Sequence, residues 1–169
     1  MDEPVCLVPM LECHLDEMTT IEAVSFSHPW KRCDFQLALS RPNSLCKVIK
    51  IGAKAIGYIV GFRIGHEFHL ADFAIAPAHR RCGFGHQALV CLFADFTVDI
   101  HVVTLEVRMS NTAAISLYKT LGFQTMAIHR AYYNHPEEDA LVMVKTLCGS
   151  FSEWVLQASS QVMKTHENA

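Results

Sequence analysis

Apolar and polar residues along this chain change period several times, and each change predicts an element. Residues 5–9, Val-Cys-Leu-Val-Pro, read as a short first strand. Over 15–26, Leu15, Met18, Ile21, Ala23 and Val24 recur at helical spacing. Ser27-His28-Pro29-Trp30 breaks that pattern, because proline disfavours helix at the residue before it. A second short helix is expected over 31–39, closed by Arg41-Pro42-Asn43-Ser44. Residues 45–51 and 55–64 read as strands joined by Gly52-Ala53-Lys54, a hairpin signature, and Gly65-His66 turns into a third strand over 67–76. Connections this short make the three antiparallel. After Pro77 and a glycine-bearing turn, an apolar-periodic stretch over 87–98 predicts a helix. Phe84, Ala88, Leu89, Leu92, Phe93 and Phe96 make its buried stripe.

Residues 101–108 carry Val102, Val103, Leu105 and Val107, which predicts a central strand covered on both faces. A helix separates it from the strand over 67–76, so the two are expected to be parallel neighbours. Ser110 or Asn111 can cap a helix over 112–121, and Gly122 sits where a left-handed C-terminal cap belongs. Residues 123–129 and 140–146 read as final strands separated by the polar stretch 134–139. Ser150-Phe151-Ser152-Glu153 fits a capping box for a last helix to about residue 164. The expected architecture is mixed α/β: a mostly antiparallel twisted sheet flanked by helices, with a parallel central strand pair.

Composition narrows the class. The chain's 169 residues suit one domain, and 51% apolar residues supply a sizeable core. A net charge of −3 gives no general electrostatic reason to bind nucleic acid. No apolar run reaches the length of a membrane span, and Met1-Asp2-Glu3-Pro4 lacks the basic-then-apolar order of a secretory signal. The seven cysteines include no C-x-x-C pair and suggest free thiols in a reducing cytosol. The expectation is a soluble cytoplasmic domain without direct nucleic-acid or membrane binding.

The candidate chemistry centres on Arg80-Arg81-Cys82-Gly83-Phe84-Gly85-His86, between a strand and a helix. The first turn of a helix leaves backbone N–H groups without intrahelical partners, and the helix dipole adds positive charge there. Glycines at 83 and 85 let a bulky phosphate approach the main chain, although they also serve a turn that merely needs positive φ. Gly83 to Ala88 formally matches the dinucleotide pattern G-x-G-x-x-G/A, with Glu106 about 20 residues beyond. Three antiparallel strands come first, however, and too little chain follows for a second mononucleotide half, so that reading is set aside. Among ten histidines only His66 and His69 stand close, without a clear further ligand set, and no metal is expected. Cys82 lies where a helix N-terminus can lower a thiol pKa.

With Arg80, Gly83 and Gly85, the turn also matches R/Q-x-x-G-x-G/A, the acetyl-CoA signature of the GCN5-related N-acetyltransferases. The sequence resembles that superfamily from residue 7 to about residue 147, and within it the bacterial ribosomal-protein-alanine N-acetyltransferases most. The matching segments are Pro29-Trp30, Phe73-Ala74-Ile75-Ala76-Pro77, Leu105-Glu106-Val107-Arg108, Ser110-Asn111 and Ala113-Ala114-Ile115. Leu117-Tyr118, Leu121-Gly122-Phe123 and Tyr132-Tyr133 follow. Each is weak alone; their common order and spacing are specific. The resemblance divides the chain into an acetyltransferase domain over 1–147 and a helical extension over 148–169. Phe151, Trp154, Val155, Val162 and Met163 of that extension can dock on the domain or on a second chain.

The resemblance implies that the acetyl-pantetheine arm runs beside the main chain of Phe73, Ala74 and Ile75. It puts the pyrophosphate on the turn from Arg81 to His86, next to the signature's Arg80, and a further cofactor contact at Asn111. His86 departs from the arginine or lysine common there. Glu106 matches the family's general base and Tyr118 its general acid. On sequence alone, Glu106 is a carboxylate inside an otherwise apolar strand, with a salt bridge to Arg108 as the plainer alternative. Tyr118, sharing a helix face with Ala114 and Leu121, is a core aromatic until the family match is considered. Trp30 is either a core plug or a groove wall. Tyr132 and Tyr133, read as a loop before the last strands, either wall the peptide groove or pack over a sheet edge. The implied activity is direct transfer from acetyl-CoA to the N-terminal amine of a protein, by analogy the N-terminal alanine of a small-subunit ribosomal protein. Lysine side chains, small amines, or non-catalytic acyl-CoA sensing are the alternatives.

Overall fold

The computed structural model describes residues 4–96 and 99–148. The expected C-terminal helix lies outside the described residues. Chain order is β1 (Val5–Pro9), α1 (Leu15–Ala23), α2 (Arg32–Ser40), β2 (Ser44–Ile51), β3 (Lys54–Ile64) and β4 (Glu67–Ile75). There follow α3 (Phe84–Ala94), β5 (Val102–Arg108), α4 (Thr112–Thr120), β6 (Gln124–Asn134) and β7 (Glu137–Thr146). The seven strands form one sheet in the order β1-β2-β3-β4-β5-β7-β6. Neighbours are antiparallel except β4 and β5, as the alternation of elements predicted.

The parallel pair is short. Its register covers Glu67↔Val102, Phe68↔Val103 and His69↔Thr104. Just beyond, the β3–β4 register slips, with Val60 opposite Asp72 and Gly61 opposite Leu70. This bulge at Ala71 adds a residue to β4 and bends it. From there to Ile75 the strand runs outside its registered pairing with β5.

Each face of the sheet carries its own core. On one, Leu89 and Leu92 of α3 and Leu121 after α4 pack with Ile59, Phe68, Val103, Leu105 and Met143. On the other, Leu15, Met18 and Ile21 of α1 and Phe35 of α2 enclose Val48, Tyr58 and Val60. Burying one such aliphatic side chain stabilises the fold by about 1.5–3 kcal/mol.

Four sequence expectations need correction. The strand over 101–108 is central and buried on both faces from Val102 to Leu105, but the cover of the second face stops there, and Glu106 and Arg108 are partly exposed. The first helix ends at Ala23 rather than near residue 26 because the Glu22 carboxylate accepts from the Trp30 backbone N–H at 2.8 Å and turns the chain back. The third helix begins at Phe84, directly after Gly83, and ends at Ala94. The polar stretch 134–139 is mostly strand: β6 reaches Asn134 and β7 starts at Glu137, so Tyr132 and Tyr133 stand on a strand and not in a loop.

Candidate active site

The turn after β4 is held from both ends. Arg80 Nε donates to the Ile75 carbonyl at 2.7 Å, and its Nη2 donates to Ser25 Oγ at 2.7 Å, tying the end of β4 to the end of α1. Arg81 (φ 63°) and Gly83 (φ 80°) are both left-handed. Successive bends of this kind draw backbone N–H groups into an anion-binding concavity. Gly83 is the N-cap of α3, whose first bond of this turn runs from Gln87 N–H to the Gly83 carbonyl at 3.0 Å. The N–H groups of Phe84, Gly85 and His86 therefore lie ahead of the helical ladder. A Cβ at Gly85 would rest 3.4 Å from the Phe73 ring, so the turn and the β4 edge abut. Cys82 is exposed, with Sγ 3.4 Å from the Arg80 carbonyl. Asn111 caps α4, its Oδ1 accepting from Ala114 N–H at 3.1 Å, which leaves its NH2 to point elsewhere.

The open face of β4 and β5 carries the titratable groups. Glu106 Oε2 lies 3.4 Å from His69 Nε2, both side chains only partly exposed. His69 Nδ1 lies 3.2 Å from Thr104 Oγ1, and the Thr104 hydroxyl donates to Glu67. Arg108 is not the partner of Glu106. It pairs with Glu138 at 3.0 Å, donates to the Pro136 carbonyl and stacks 4.0 Å from the Tyr133 ring centroid. Sequence spacing alone could not rank these partners, since Glu138 is 30 residues from Arg108.

Tyr132 and Tyr133 pack edge to face at 5.0 Å, with Tyr132 stacked on His129. Burial, Tyr132, Glu106 and Glu138 push the Tyr133 phenol up to about 12, against the opposing pull of Arg108. Tyr118 is 7% exposed and packs on Phe123 at 5.5 Å. Burial first, then Asp72 and Tyr133, hold its phenol well above the ordinary range, so it keeps its proton at neutral pH. Tyr133 is thus within electrostatic reach of both Glu106 and Tyr118. On the far side, Trp30 is half-buried against Phe35 at 5.4 Å. Ser27 Oγ donates to the His135 carbonyl, and His28 stacks on His135 at 5.0 Å, so the α1–α2 loop meets the β6–β7 turn.

Three residues the sequence did not single out form a buried group beside this site. Tyr58 donates to Glu22 and contacts Asp72 Oδ2 at 3.3 Å. One hydroxyl hydrogen cannot serve two carboxylates, so the arrangement is satisfied when Asp72 carries a proton and donates to Tyr58. Burial, with Glu22 across the hydroxyl, accordingly raises Asp72 to about 8. Burial also raises Glu22. His66 and His69 separate: His66 stacks on His101 at 4.5 Å, and among the described residues no metal-holding group of His, Cys, Asp and Glu assembles.

The model of the acetyltransferase (GNAT) family matches residues 15–123, well over half of the chain. The chain belongs to this family. It is an acetyltransferase, and the family's acetyl donor is acetyl-CoA. The N-alpha-acetyltransferase RimI of Mycobacterium tuberculosis is 31% identical over 147 residues, 83% of this chain and 92% of that protein. The ribosomal protein bS18-alanine N-acetyltransferase of Salmonella typhimurium is 40% identical over 80 residues, 46% of this chain and 54% of that one. Among solved structures, the ribosomal-protein-S18-alanine N-acetyltransferase of Escherichia coli superposes with a TM-score of 0.79 at 26% identity, covering 86% of this chain and 96% of that one. The GNAT assignment agrees with the short β4–β5 pairing and with the glycine turn opening α3.

Proposed function

We propose that this GNAT chain acetylates the free α-amine of a protein N-terminus in the cytoplasm, its acceptor being the N-terminal alanine of a small-subunit ribosomal protein. The observation that carries the reading is the setting of Glu106. Its carboxylate stands on the polar face of β5, beside His69, near where β4 and β5 part, with Tyr132 and Tyr133 close by. The relatives from Mycobacterium tuberculosis and Escherichia coli, named for N-alpha and S18-alanine acetylation, support the acceptor.

The acetyl-pantetheine arm takes the edge of Phe73, Ala74 and Ile75, where the β4 backbone continues past its pairing with β5. The pyrophosphate takes the N–H groups of the turn from Arg81 to His86, with Arg80 bracing that turn and the Asn111 amide facing the cofactor. An α-amine has a pKa of about 7.7–8.0, so near neutrality most of it is ammonium and cannot attack a thioester. Glu106 removes the proton, the amine nitrogen bonds to the acetyl carbon, and the carbon–sulfur bond breaks as the intermediate collapses. Tyr118, protonated, supplies the hydrogen to the leaving thiolate. Trp30 and the Tyr132–Tyr133 pair wall the acceptor groove.

A competition read by mass spectrometry tests the acceptor. The protein and acetyl-CoA meet two peptides together, one with a free N-terminal alanine and one N-blocked with an internal lysine. Acetylation of the alanine peptide alone is expected. Modification of the lysine peptide would move the enzyme to side-chain acetylation, and silence on both with acetyl-CoA bound would leave a small amine or a sensing role.

A further inference from the structure

Among the described residues, a chain of polar side-chain contacts, two hydrogen bonds and then a 3.4 Å approach, runs across β4 and β5 and ends on Glu106. Glu67 and His69 lie on the same face of β4 at positions i and i+2; Thr104 and Glu106 do the same on β5. The parallel register sets His69 opposite Thr104 and Glu67 opposite Val102. The contacts follow from it: Thr104 Oγ1 donates to Glu67, His69 Nδ1 is 3.2 Å from Thr104 Oγ1, and His69 Nε2 is 3.4 Å from Glu106 Oε2.

Proton counting fixes the state of the imidazole. A threonine hydroxyl has one hydrogen, and Glu67 takes it. Thr104 Oγ1 is therefore an acceptor toward His69, and Nδ1 must carry a hydrogen. In neutral His69 that leaves Nε2 as a bare lone pair, facing a carboxylate oxygen of Glu106. Two acceptors face each other across a slot that one proton fills.

We infer that His69 is the positioning and proton-relay residue of the acetyl-transfer reaction, the imidazole that receives through Glu106 the proton taken from the acceptor amine. The inference rests on the reading of Glu106 as the base. In the balanced step, the ammonium N–H bond breaks and its proton passes to Glu106 Oε2, then to His69 Nε2. His69 is then an imidazolium that donates from Nδ1 to Thr104 Oγ1 and faces the Glu106 carboxylate with Nε2, and it gives the extra proton up to water once transfer is complete. No oxidant or further reactant is needed. The physical gain is in matching: imidazoles titrate about two pKa units closer to an α-amine than carboxylates do, so the proton has a less uphill resting place. The titratable groups within electrostatic reach of Glu106 are Tyr132 and Tyr133 on β6. Asp72, further along β4, is engaged with Tyr58 of β3 and Glu22, and Arg108, further along β5, with Glu138.

The test is a kcat–pH profile of wild type, His69→Gln, His69→Ala and Glu106→Gln, with acetyl-CoA affinity measured alongside. Glutamine keeps polarity and volume if alanine disturbs the fold. For both His69 variants kcat is expected to fall about tenfold or more, with the KM for acetyl-CoA unchanged. The acid limb of the profile should move to lower pH, because a carboxylate alone stays ionised further into acid. Free imidazole should restore part of the His69→Ala rate, and Glu106→Gln combined with His69→Gln should be no slower than Glu106→Gln alone. A His69→Gln enzyme with wild-type kcat and an unmoved limb, while Glu106→Gln is slow, overturns the relay and leaves the base in place. A fully active Glu106→Gln enzyme overturns both.

Discussion

The roles proposed for Glu106 and Tyr118 are opposite in protonation, and the surroundings of the two residues differ accordingly. Glu106 sits on a polar face with an imidazole beside it, whereas Tyr118 is in the apolar layer against Phe123, where burial keeps its hydroxyl protonated. Glu106→Gln is expected to lower kcat by roughly a hundredfold or more and to flatten its rise with pH, with acetyl-CoA affinity by calorimetry little changed. Tyr118→Phe keeps the ring that packs on Phe123, so a thermal melt should show a loss of about 1 kcal/mol or less. Its turnover should nevertheless drop clearly. A large melting shift with full turnover would return Tyr118 to a purely structural part.

At the scale of elements, legibility followed the range of the signal. Strand alternation, the Asn111 cap, the left-handed Gly122 and the strand–turn–helix around Gly83 are local patterns, and the structure reproduces them. The His69–Glu106 contact and the Glu22–Tyr58–Asp72 group were not legible. Their members come from different elements, 14 and 36 residues apart in the buried group, and meet only once strand register is set. The polarity of residues 134–139 hides the length of the β6–β7 hairpin in the sequence, yet that polarity serves Arg108 and Ser110, which bind Glu138. The turn that opens α3 offers a sharper test. A Cβ at Gly83 would meet nothing nearer than Gln87 Nε2 at 3.9 Å, so alanine there is opposed by φ 80° rather than by crowding. Gly83→Ala should cost about 1–2 kcal/mol in a denaturant titration and weaken acetyl-CoA binding by moving the N–H groups ahead of α3.

The whole molecule should register the buried acids in its pH–stability curve. Asp72 stands near 8 in the folded chain against about 3.9 for an unfolded aspartate, so the folded chain keeps a proton that the unfolded one releases. The stability from that proton is complete below about pH 4 and is lost as pH rises through about 8, with a slope of at most about 1.4 kcal/mol per pH unit. Glu22, raised in the same direction, adds to the fall. Melting temperatures between pH 5 and 9 should therefore decline in the wild type and decline less in Asp72→Asn. An identical slope in the two proteins would show that Asp72 titrates normally.

The three residue pairs joining β4 to β5 make the sheet two rafts on a narrow seam, four strands on one side and three on the other. A seam that short holds the two rafts by few backbone bonds, so the apolar cluster in which Leu89 and Leu92 join Phe68 to Val103 and Leu105 supplies further continuity across it. An amide-bearing arm lying in the notch would act as a missing rung. Hydrogen exchange should then slow on both rafts when acetyl-CoA is added, including β7, which lies one strand away from the notch. The enzyme's own substrate would thus complete its sheet during each turnover and leave it open again on release.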